Sequence, residues 1–266
     1  MKYQNFFKNK FVAAALFVVF TVLTSFVVLD KIKPVFYIIG DSTVRNGDGS
    51  GKGSLWGWGS FMADYFDTTK ITVKNLAIGG RSSRTFLTEG RWDSIIAHLK
   101  QGDYVIMQFG HNDGGPLDDT ARARGTIPGT GDDTKNIDNP ITKRAETVHT
   151  YGWYIRKYVQ EAVAKGAIPI VCSPIPRNEW RDGKVQRSTD SYAKWAQQIA
   201  KEEDAYFIDL NSLIATKYET MGTEEVKKFF PGDHTHTNYE GAKLNAEIVV
   251  QALKDIKPTK LKSFFK

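Results

Sequence analysis

From residue 34 onward the sequence alternates between short apolar runs and longer amphipathic segments. Each apolar run is rich in β-branched or aromatic residues and is followed by turn-forming residues such as Gly, Ser or Asn. Such runs are typical of strands buried on both faces of a parallel sheet. The predicted strands cover residues 35–39, 71–78, 104–109, 168–172 and 205–210.

Helical patterns fill the intervals between the predicted strands. In one of them, Trp92, Ile95 and Leu99 recur at the spacing of a single helix face. Another ends at Gly166, which suits a helix C-cap. The predicted helices cover residues 58–66, 91–99, 145–165, 191–203 and 238–254. This alternation predicts one α/β domain with a parallel sheet over residues 31–266.

The N-terminus contains an uncharged apolar run at residues 11–29, with lysines before it and Asp30 directly after it. A basic segment followed by an apolar run predicts an export signal, which would occupy residues 1–30. The run is also long enough to remain as a membrane anchor. We therefore expect an exported protein, periplasmic or extracellular, that contacts a membrane only through such an anchor.

The amino-acid composition excludes several classes of protein. With 41% hydrophobic and 25% charged residues, the chain is not collagen-like, disordered or a polytopic membrane protein. The formal net charge of +6 comes without a basic stripe interleaved with aromatic residues, so nucleic-acid binding is not predicted. The mild positive charge suits an anionic substrate. We expect a monomer.

The chain has one cysteine, Cys172, which lies within a predicted strand. An internal disulfide is therefore excluded, and the stability of the domain must come from burial. We expect Cys172 to be a small apolar core residue and not a nucleophile.

Polar residues follow three of the predicted strands. Ser42 comes after the first strand, Gly79 and Gly80 after the second, and Asn112 after the third. Because the carboxyl ends of parallel strands border the ligand crevice, these residues are expected close together. Acyl transfer requires a hydroxyl nucleophile, backbone N–H donors and often an amide donor. Taken singly, each residue also suits a local role as a helix cap or a turn residue.

A fourth polar group lies before the last predicted helix. Asp233 stands three residues before His236, so its carboxylate can hydrogen-bond to the imidazole and hold one tautomer. His234 and His236 could instead ligate a metal, but no further His or Cys cluster is present to complete a coordination shell. We predict no metal and no organic cofactor.

Together these motifs resemble the SGNH hydrolases, or GDSL-type esterases, over residues 35–254. The matching segments are Gly40-Asp41-Ser42, Gly80, Gly110-x-Asn112-Asp113 and Asp233-x-x-His236. Finer segments resemble the rhamnogalacturonan acetylesterase branch; they are GDSTV at 40–44, GWG at 57–59, NLAIGGRSSRTF at 75–86, FGHNDGG at 109–115 and DHTHTNYEGA at 233–242. The resemblance implies a flavodoxin-like fold, a three-layer α/β sandwich around a five-stranded parallel sheet.

The resemblance also implies residue roles. Ser42 would be the nucleophile and His236 the general base, with Asp233 orienting His236. The oxyanion hole would consist of the backbone N–H groups of Ser42 and Gly80 and the side chain of Asn112.

Three choices that the residues alone leave open follow from the same resemblance. It selects Gly80 and not Gly79 as the backbone donor. It makes His234 a neighbour of the base, and it leaves a structural role for His111.

The implied substrate is an acetylated plant cell-wall polysaccharide, most simply acetylated rhamnogalacturonan, cleaved through an acetyl-enzyme. Arg81 and Arg84 would pair with galacturonate carboxylates, although surface salt contacts are an alternative. Trp56 and Trp58 would stack on sugar faces, although core packing is equally compatible with the sequence.

Residues 114–142 break the alternation, being rich in Gly, Pro, Asp and Thr and too long for an ordinary connection. They predict either a substrate-facing loop or a passive insertion, and they leave acetylated xylan or another pectin open as substrates. Three other classes remain. These are a lipid or thioester hydrolase with the same triad, a phosphoryl-transfer enzyme suggested by Asp41-x-Thr43, and a non-catalytic glycan-binding module.

Overall fold

The computed structural model describes residues 33–257 and 259–266, which divide into strands, helices and connecting loops. The strands are β1 (Val35–Gly40), β2 (Thr72–Asn75), β3 (Tyr104–Gln108), β4 (Thr134–Asn139), β5 (Arg144–His149), β6 (Ile168–Cys172), β7 (Trp180–Arg181), β8 (Lys184–Val185) and β9 (Tyr206–Ile208). The α-helices are α1 (Met62–Tyr65), α2 (Ser83–Thr88), α3 (Arg91–Ile96), α4 (Tyr151–Ala164), α5 (Tyr192–Glu202), α6 (Leu210–Met221), α7 (Thr223–Lys227) and α8 (Tyr239–Asp255). Short 3₁₀ turns lie at Lys52–Ser54, Trp58–Phe61 and Leu261–Phe264.

Five strands pair in parallel in the order β2–β1–β3–β6–β9. The register sets Phe36 of β1 beside Val73 of β2 and Tyr104 of β3. Because β1 lies between β2 and β3, the strand order reverses at β1. Open α/β sheets bind ligands at such a reversal, outside the carboxyl ends of the strands.

A buried cluster of side chains covers each face of the sheet. Successive side chains of a strand point to opposite faces, so each strand contributes to both clusters. On β1, Phe36 and Ile38 belong to one buried cluster, whereas Tyr37 and Ile39 belong to the other. The first cluster includes side chains of α6 and α8, and the second includes side chains of α2, α3, α4 and α5. The three-layer α/β sandwich with a five-stranded parallel sheet is therefore confirmed. Cys172 lies in the first cluster and is 1% exposed, so its predicted core position is confirmed as well.

The predicted helix over 145–165 is wrong at its beginning. Arg144–His149 instead forms β5 and pairs antiparallel with β4, which lies inside the segment predicted as a loop. The helix starts only after Thr150, whose side chain accepts a hydrogen bond from the Trp153 N–H at 3.0 Å. Both strands of this hairpin are mostly exposed and polar, so the sequence has no apolar run there that would indicate a strand.

The end of the last predicted strand is also different. The strand ends at Ile208, and Asp209 then caps α6 by accepting a hydrogen bond from the Ser212 N–H at 3.1 Å. Helix α6 was not predicted.

The predicted export segment at residues 1–30 lies outside the described residues. Within the part of the chain that the structure describes, no helix is long and apolar enough to cross a membrane. Residues Pro34–Lys266 form one compact unit.

Candidate active site

The candidate site lies at the carboxyl end of the sheet, where the strand order reverses. Ser42 follows β1 by two residues, and Asn112 follows β3 by four. Both line one cleft of about 670 Å³, together with Gly79, Gly80 and His236. Ser42, Gly80 and Asn112 follow different strands, and the sequence predicts that they lie close together. In the structure they line the same cleft.

Ser42, His236 and Asp233 form a continuous hydrogen-bonded series. Ser42 Oγ lies 2.8 Å from His236 Nε2, and His236 Nδ1 lies 2.6 Å from Asp233 Oδ2. Because a carboxylate only accepts, Nδ1 carries the proton, and Nε2 is left to accept the hydroxyl hydrogen of Ser42. This is the arrangement in which an imidazole can take a proton from a serine hydroxyl.

Asp233 is fixed by its own turn. Its Oδ1 accepts hydrogen bonds from the backbone N–H groups of Thr235 and His236, at 2.6 and 2.8 Å. Burial raises the pKa of Asp233, but the hydrogen bonds from His236 and Thr235 outweigh burial and lower the pKa to about 2. Asp233 is therefore an anion at any pH at which the imidazole works as a base.

The turn carrying His236 is tied to the segment around Trp56. Trp56 N–H donates to Thr237 O at 2.8 Å, and the Thr237 hydroxyl donates back to Trp56 O at 3.2 Å. A Cβ on the next residue, Gly57, would lie 2.3 Å from the backbone carbon of Val44. Glycine is therefore required for this segment to pack against the chain just after Ser42.

The two tryptophans do not form the sugar-stacking surface expected of them. Trp58 is fully buried, and its Nε1–H donates to Gln108 Oε1 at 2.9 Å. Trp56 packs against Phe61 and Tyr239, and neither tryptophan lines the cleft. Trp58 therefore packs in the core, which was the alternative that the sequence left open. Trp56 supports the loop that carries His236.

The second motif lies against the serine. A Cβ built on Gly79 would be 3.5 Å from the Cβ of Ser42, and Gly80 adopts a left-handed backbone with φ of +77°. The N–H groups of Ser42 and Gly80 donate to no acceptor among the described residues. Two unpaired N–H groups beside a serine hydroxyl are suited to bind a developing oxyanion.

Asn112 contributes a side-chain donor to the same cleft. Its Nδ2 donates one hydrogen to Arg81 O at 3.0 Å, which fixes the orientation of the amide. The second hydrogen on Nδ2 has no acceptor in the described chain, and the residue is 8% exposed at the cleft wall.

Two arginines hold the carbonyls around Gly80. Arg81 Nη1 donates to Gly79 O at 3.1 Å, and Arg124 Nη1 donates to Gly80 O at 3.1 Å. The carbonyl of Gly79 belongs to the same peptide group as the N–H of Gly80 and points the opposite way. Arg81 therefore fixes the direction of the candidate oxyanion donor. It also pairs with Glu89, Nε to Oε2 at 3.0 Å, so a carboxylate already neutralises it.

Arg84 is also placed differently from expectation. Its side chain is fully buried and forms two hydrogen bonds with Glu146, Nε to Oε1 at 2.7 Å and Nη2 to Oε2 at 2.8 Å. Its Nη1 donates to Leu117 O and Gly125 O, at 2.9 and 2.8 Å. Arg84 therefore holds the 114–142 segment in place and cannot reach a substrate carboxylate.

Asp41 and His111 stabilise the turn that carries Ser42. The buried Asp41 carboxylate accepts hydrogen bonds from the Thr43 N–H and hydroxyl, at 2.9 and 2.7 Å. His111 Nδ1 is 3.2 Å from Asp41 Oδ2, and its Nε2 is 3.0 Å from Ile175 O. Burial raises the pKa of Asp41, but His111 and the Thr43 hydrogen bonds outweigh it and hold the pKa below its ordinary value.

Asp113 is the most perturbed carboxyl beside the site. It is fully buried, and its Oδ1 accepts hydrogen bonds from the N–H and hydroxyl of Ser83. Its Oδ2 has no partner. Burial raises the pKa of Asp113 to about 7 despite the Ser83 hydrogen bonds, and the charge of Asp41 adds to the rise.

Sequence reasoning missed three arginines that line the cleft, Arg122, Arg124 and Arg177. Arg122 and Arg124 belong to the 114–142 segment. The sequence could have indicated them, because they are arginines in a loop that follows β3. Among the described residues, no three His, Cys, Asp or Glu side chains cluster as a metal site would require.

The chain is similar to a known family and to several known proteins. A model of the GDSL-like lipase/acylhydrolase family matches residues 38–244. The chain is 35% identical over 218 residues to the rhamnogalacturonan acetylesterase of Emericella nidulans, covering 82% of this chain and 83% of that one. It is 29% identical over 240 residues to the rhamnogalacturonan acetylesterase RhgT of Bacillus subtilis, covering 84% and 91%.

One solved structure is similar at the level of the fold and of the sequence. The Bacillus subtilis protein YxiM superposes with a TM-score of 0.67 at 27% identity. The match covers 84% of this chain but only 56% of that longer chain.

Proposed function

Because this chain belongs to the GDSL-like lipase/acylhydrolase family, we propose that it is a serine esterase that removes O-acetyl groups from a plant cell-wall polysaccharide. Acetylated rhamnogalacturonan is the proposed substrate, since two relatives named for that activity each match more than four fifths of the chain.

In the proposed reaction, His236 Nε2 takes the hydroxyl proton of Ser42 as the oxygen attacks the acetyl carbonyl. The carbonyl oxygen becomes an oxyanion that accepts hydrogen bonds from the N–H groups of Ser42 and Gly80 and from Asn112 Nδ2. Such preorganised donors each contribute about 2.7–4 kcal/mol to the transition state. Asp233 stabilises the imidazolium that forms.

The tetrahedral intermediate then collapses. The bond from the acetyl carbon to the sugar oxygen breaks, and His236 returns the proton to that oxygen, so the sugar leaves as an alcohol. Water, deprotonated by His236, attacks the acetyl-enzyme in the same way and releases acetate, which restores the Ser42 hydroxyl.

The observation that carries the proposal is the 2.8 Å contact between Ser42 Oγ and His236 Nε2, next to two unpaired backbone N–H groups. The rival classes lack an equivalent observation. A phosphoryl-transfer site would need Asp41 as its nucleophile, but that carboxylate is fully buried and already bonded to Thr43 and His111.

The proposal is tested with the Ser42→Ala variant on acetylated rhamnogalacturonan, homogalacturonan and xylan, with free acetate as the readout. We expect wild-type release to be fastest from rhamnogalacturonan and the variant to lose about six orders of magnitude in kcat. Ser263→Ala, a serine in the C-terminal 3₁₀ turn, is the matched control and keeps wild-type activity. Near wild-type turnover by Ser42→Ala would contradict the assigned nucleophile.

Export remains a separate proposal. The lysine-rich start and the apolar run at 11–29 support an exported enzyme, which agrees with a cell-wall polysaccharide as substrate. N-terminal sequencing of the protein from its native host distinguishes a removed signal from a retained anchor.

A further inference from the structure

The arginines around the cleft fall into two groups according to their charge partners. Arg81 is paired with Glu89, and Arg84 with Glu146. By contrast, no carboxylate among the described residues lies within ion-pair distance of the three other arginines. These uncompensated arginines are Arg122, Arg124 and Arg177, and all three line the cleft that contains Ser42.

The three side chains flank the serine. Arg124 is attached to Gly80 O, which follows β2 on one side of β1. Arg177 follows β6, on the other side of β1; its Nη1 lies 3.2 Å from His234 Nε2 and its Nη2 lies 3.4 Å from His111 O. Arg122 is exposed at the cleft, and its side chain forms no hydrogen bond or ion pair within the described chain. Its guanidinium is free to meet a ligand.

The charges of Arg122 and Arg124 also favour an anion. Burial lowers the pKa of Arg124 and the neighbouring charge of Arg122 lowers it further, whereas the carboxylates of Asp113, Asp119 and Asp41 oppose this decrease without cancelling it. Because none of these carboxylates forms an ion pair with either arginine, an anionic ligand bound beside them relieves the remaining repulsion. Guanidinium groups match a planar carboxylate in two parallel hydrogen bonds.

We propose that these arginines receive uronate carboxylates of the glycan chain on either side of the acetylated sugar, Arg122 and Arg124 on the β2 side of Ser42 and Arg177 on the β6 side. The inference rests on the proposed function and deepens it. It moves uronate recognition from Arg81 and Arg84 to arginines that the 114–142 segment and the loop after β6 supply.

The test compares one set of acetylated rhamnogalacturonan oligosaccharides in two forms, with free uronate carboxylates and with the same carboxylates methyl-esterified. The methyl ester keeps the acetyl groups and removes the charge. We expect the wild type to prefer the free acid in kcat/KM by about tenfold or more, because charged hydrogen bonds are lost in the ester. Added salt should reduce this preference.

Arg122→Gln and Arg177→Gln are each expected to lower the ratio of free-acid to methyl-ester kcat/KM by about tenfold, mainly through KM. Arg181→Gln is the matched control, since Arg181 is an exposed arginine in β7 that does not line the cleft, and its ratio should equal that of the wild type. Arg124→Gln is not diagnostic alone, because Arg124 also holds Gly80 O.

The outcomes separate the two proposals. Equal hydrolysis of both forms by the wild type, or an unchanged ratio in both Arg122→Gln and Arg177→Gln, would overturn the uronate subsite and leave the acetylesterase proposal intact. Acetate release from neither form, nor from any acetylated glycan, would overturn the proposed function and the subsite with it.

Discussion

Arg81 is the side chain whose role changes most once the structure is known. It lines the cleft, but its guanidinium donates to Gly79 O and is neutralised by Glu89. Through that contact it fixes the peptide group whose N–H, on Gly80, is the candidate oxyanion donor. Arg81 is therefore a positioning residue that acts through Gly80.

We predict that Arg81→Gln lowers kcat on p-nitrophenyl acetate by about tenfold with little change in KM, because the peptide carrying the Gly80 N–H loses its anchor. Arg91→Gln is the matched control, since Arg91 pairs with the same Glu89 carboxylate at 2.6 Å but touches neither glycine. If both variants lose activity equally, the Glu89 pair and not the glycine contact is responsible.

Asp113 gives a prediction about stability. Its folded-state pKa of about 7 lies above the ordinary value of 3.8, so the folded protein holds a proton that the unfolded chain has released. The stability that this proton contributes is fully present below the pKa of Asp113 in the unfolded chain. It is lost as the pH rises toward the pKa of Asp113 in the folded protein. The loss amounts to at most about 1.4 kcal/mol per pH unit between about pH 4 and 7.

The measurement is the free energy of unfolding by urea at several pH values in that window, for the wild type and for Asp113→Asn. Asparagine has no proton to lose there, so the stability of the wild type relative to the variant should fall as the pH rises. Parallel stability curves for the two proteins would show that Asp113 is ionised in the folded state throughout the window.

Among the elements, the segment between β3 and α4 is held to the domain by a largely buried ion pair in addition to its backbone hydrogen bonds. The side chain of Arg84 extends from α2 to Glu146 of β5. It also donates hydrogen bonds to the carbonyls of Leu117 and Gly125. The segment carrying the cleft arginines is thus fixed to the core at both its beginning and its end. This supports the substrate-facing interpretation of residues 114–142 over a passive insertion.

Arg84→Met is predicted to destabilise the domain by about 3–5 kcal/mol, because Glu146 loses its charge partner in a largely buried position. The free energy of unfolding in urea measures the effect. The double variant Arg84→Met/Glu146→Gln should recover part of the loss, since it leaves no uncompensated charge. A double variant as unstable as the sum of both single changes would point instead to the lost carbonyl contacts.

At the level of the whole molecule, the shape of the cleft bears on the kind of ester hydrolysed. Its walls are formed mainly by glycine and by polar or charged side chains, and Ile141 is the large apolar residue that lines it. A long acyl chain gains about 0.8 kcal/mol per buried methylene only where an apolar surface receives it. The cleft offers little such surface.

We therefore expect kcat/KM on p-nitrophenyl esters to be highest for the acetate and to fall with chain length, the octanoate being at least about tenfold poorer. The series is measured at equal substrate concentration below the solubility limit of the octanoate. A preference for the octanoate would favour the lipid hydrolase interpretation over the carbohydrate acetylesterase.

Much of this architecture could be predicted from the sequence. Apolar runs such as 35–39 and 104–109 indicate strands buried on both faces, and their alternation with helical patterns indicates a parallel sheet. Ser42, Gly80 and Asn112 follow three of the predicted strands, and the sequence places them together because the ends of parallel strands meet at one edge. The roles of nucleophile and base for Ser42 and His236 came from the resemblance of the motifs to a known family.

Tertiary contacts determine which side chains near the motifs remain free at the cleft and which are buried in the fold. Arg84 and Trp58 are adjacent to the motifs in sequence, yet both are buried. Arg122 and Arg177 are distant in sequence, yet they line the cleft. Whether an arginine meets a carboxylate of its own chain or remains free depends on contacts such as Arg84 with Glu146, 62 residues apart, and no local pattern of residues encodes such a distance.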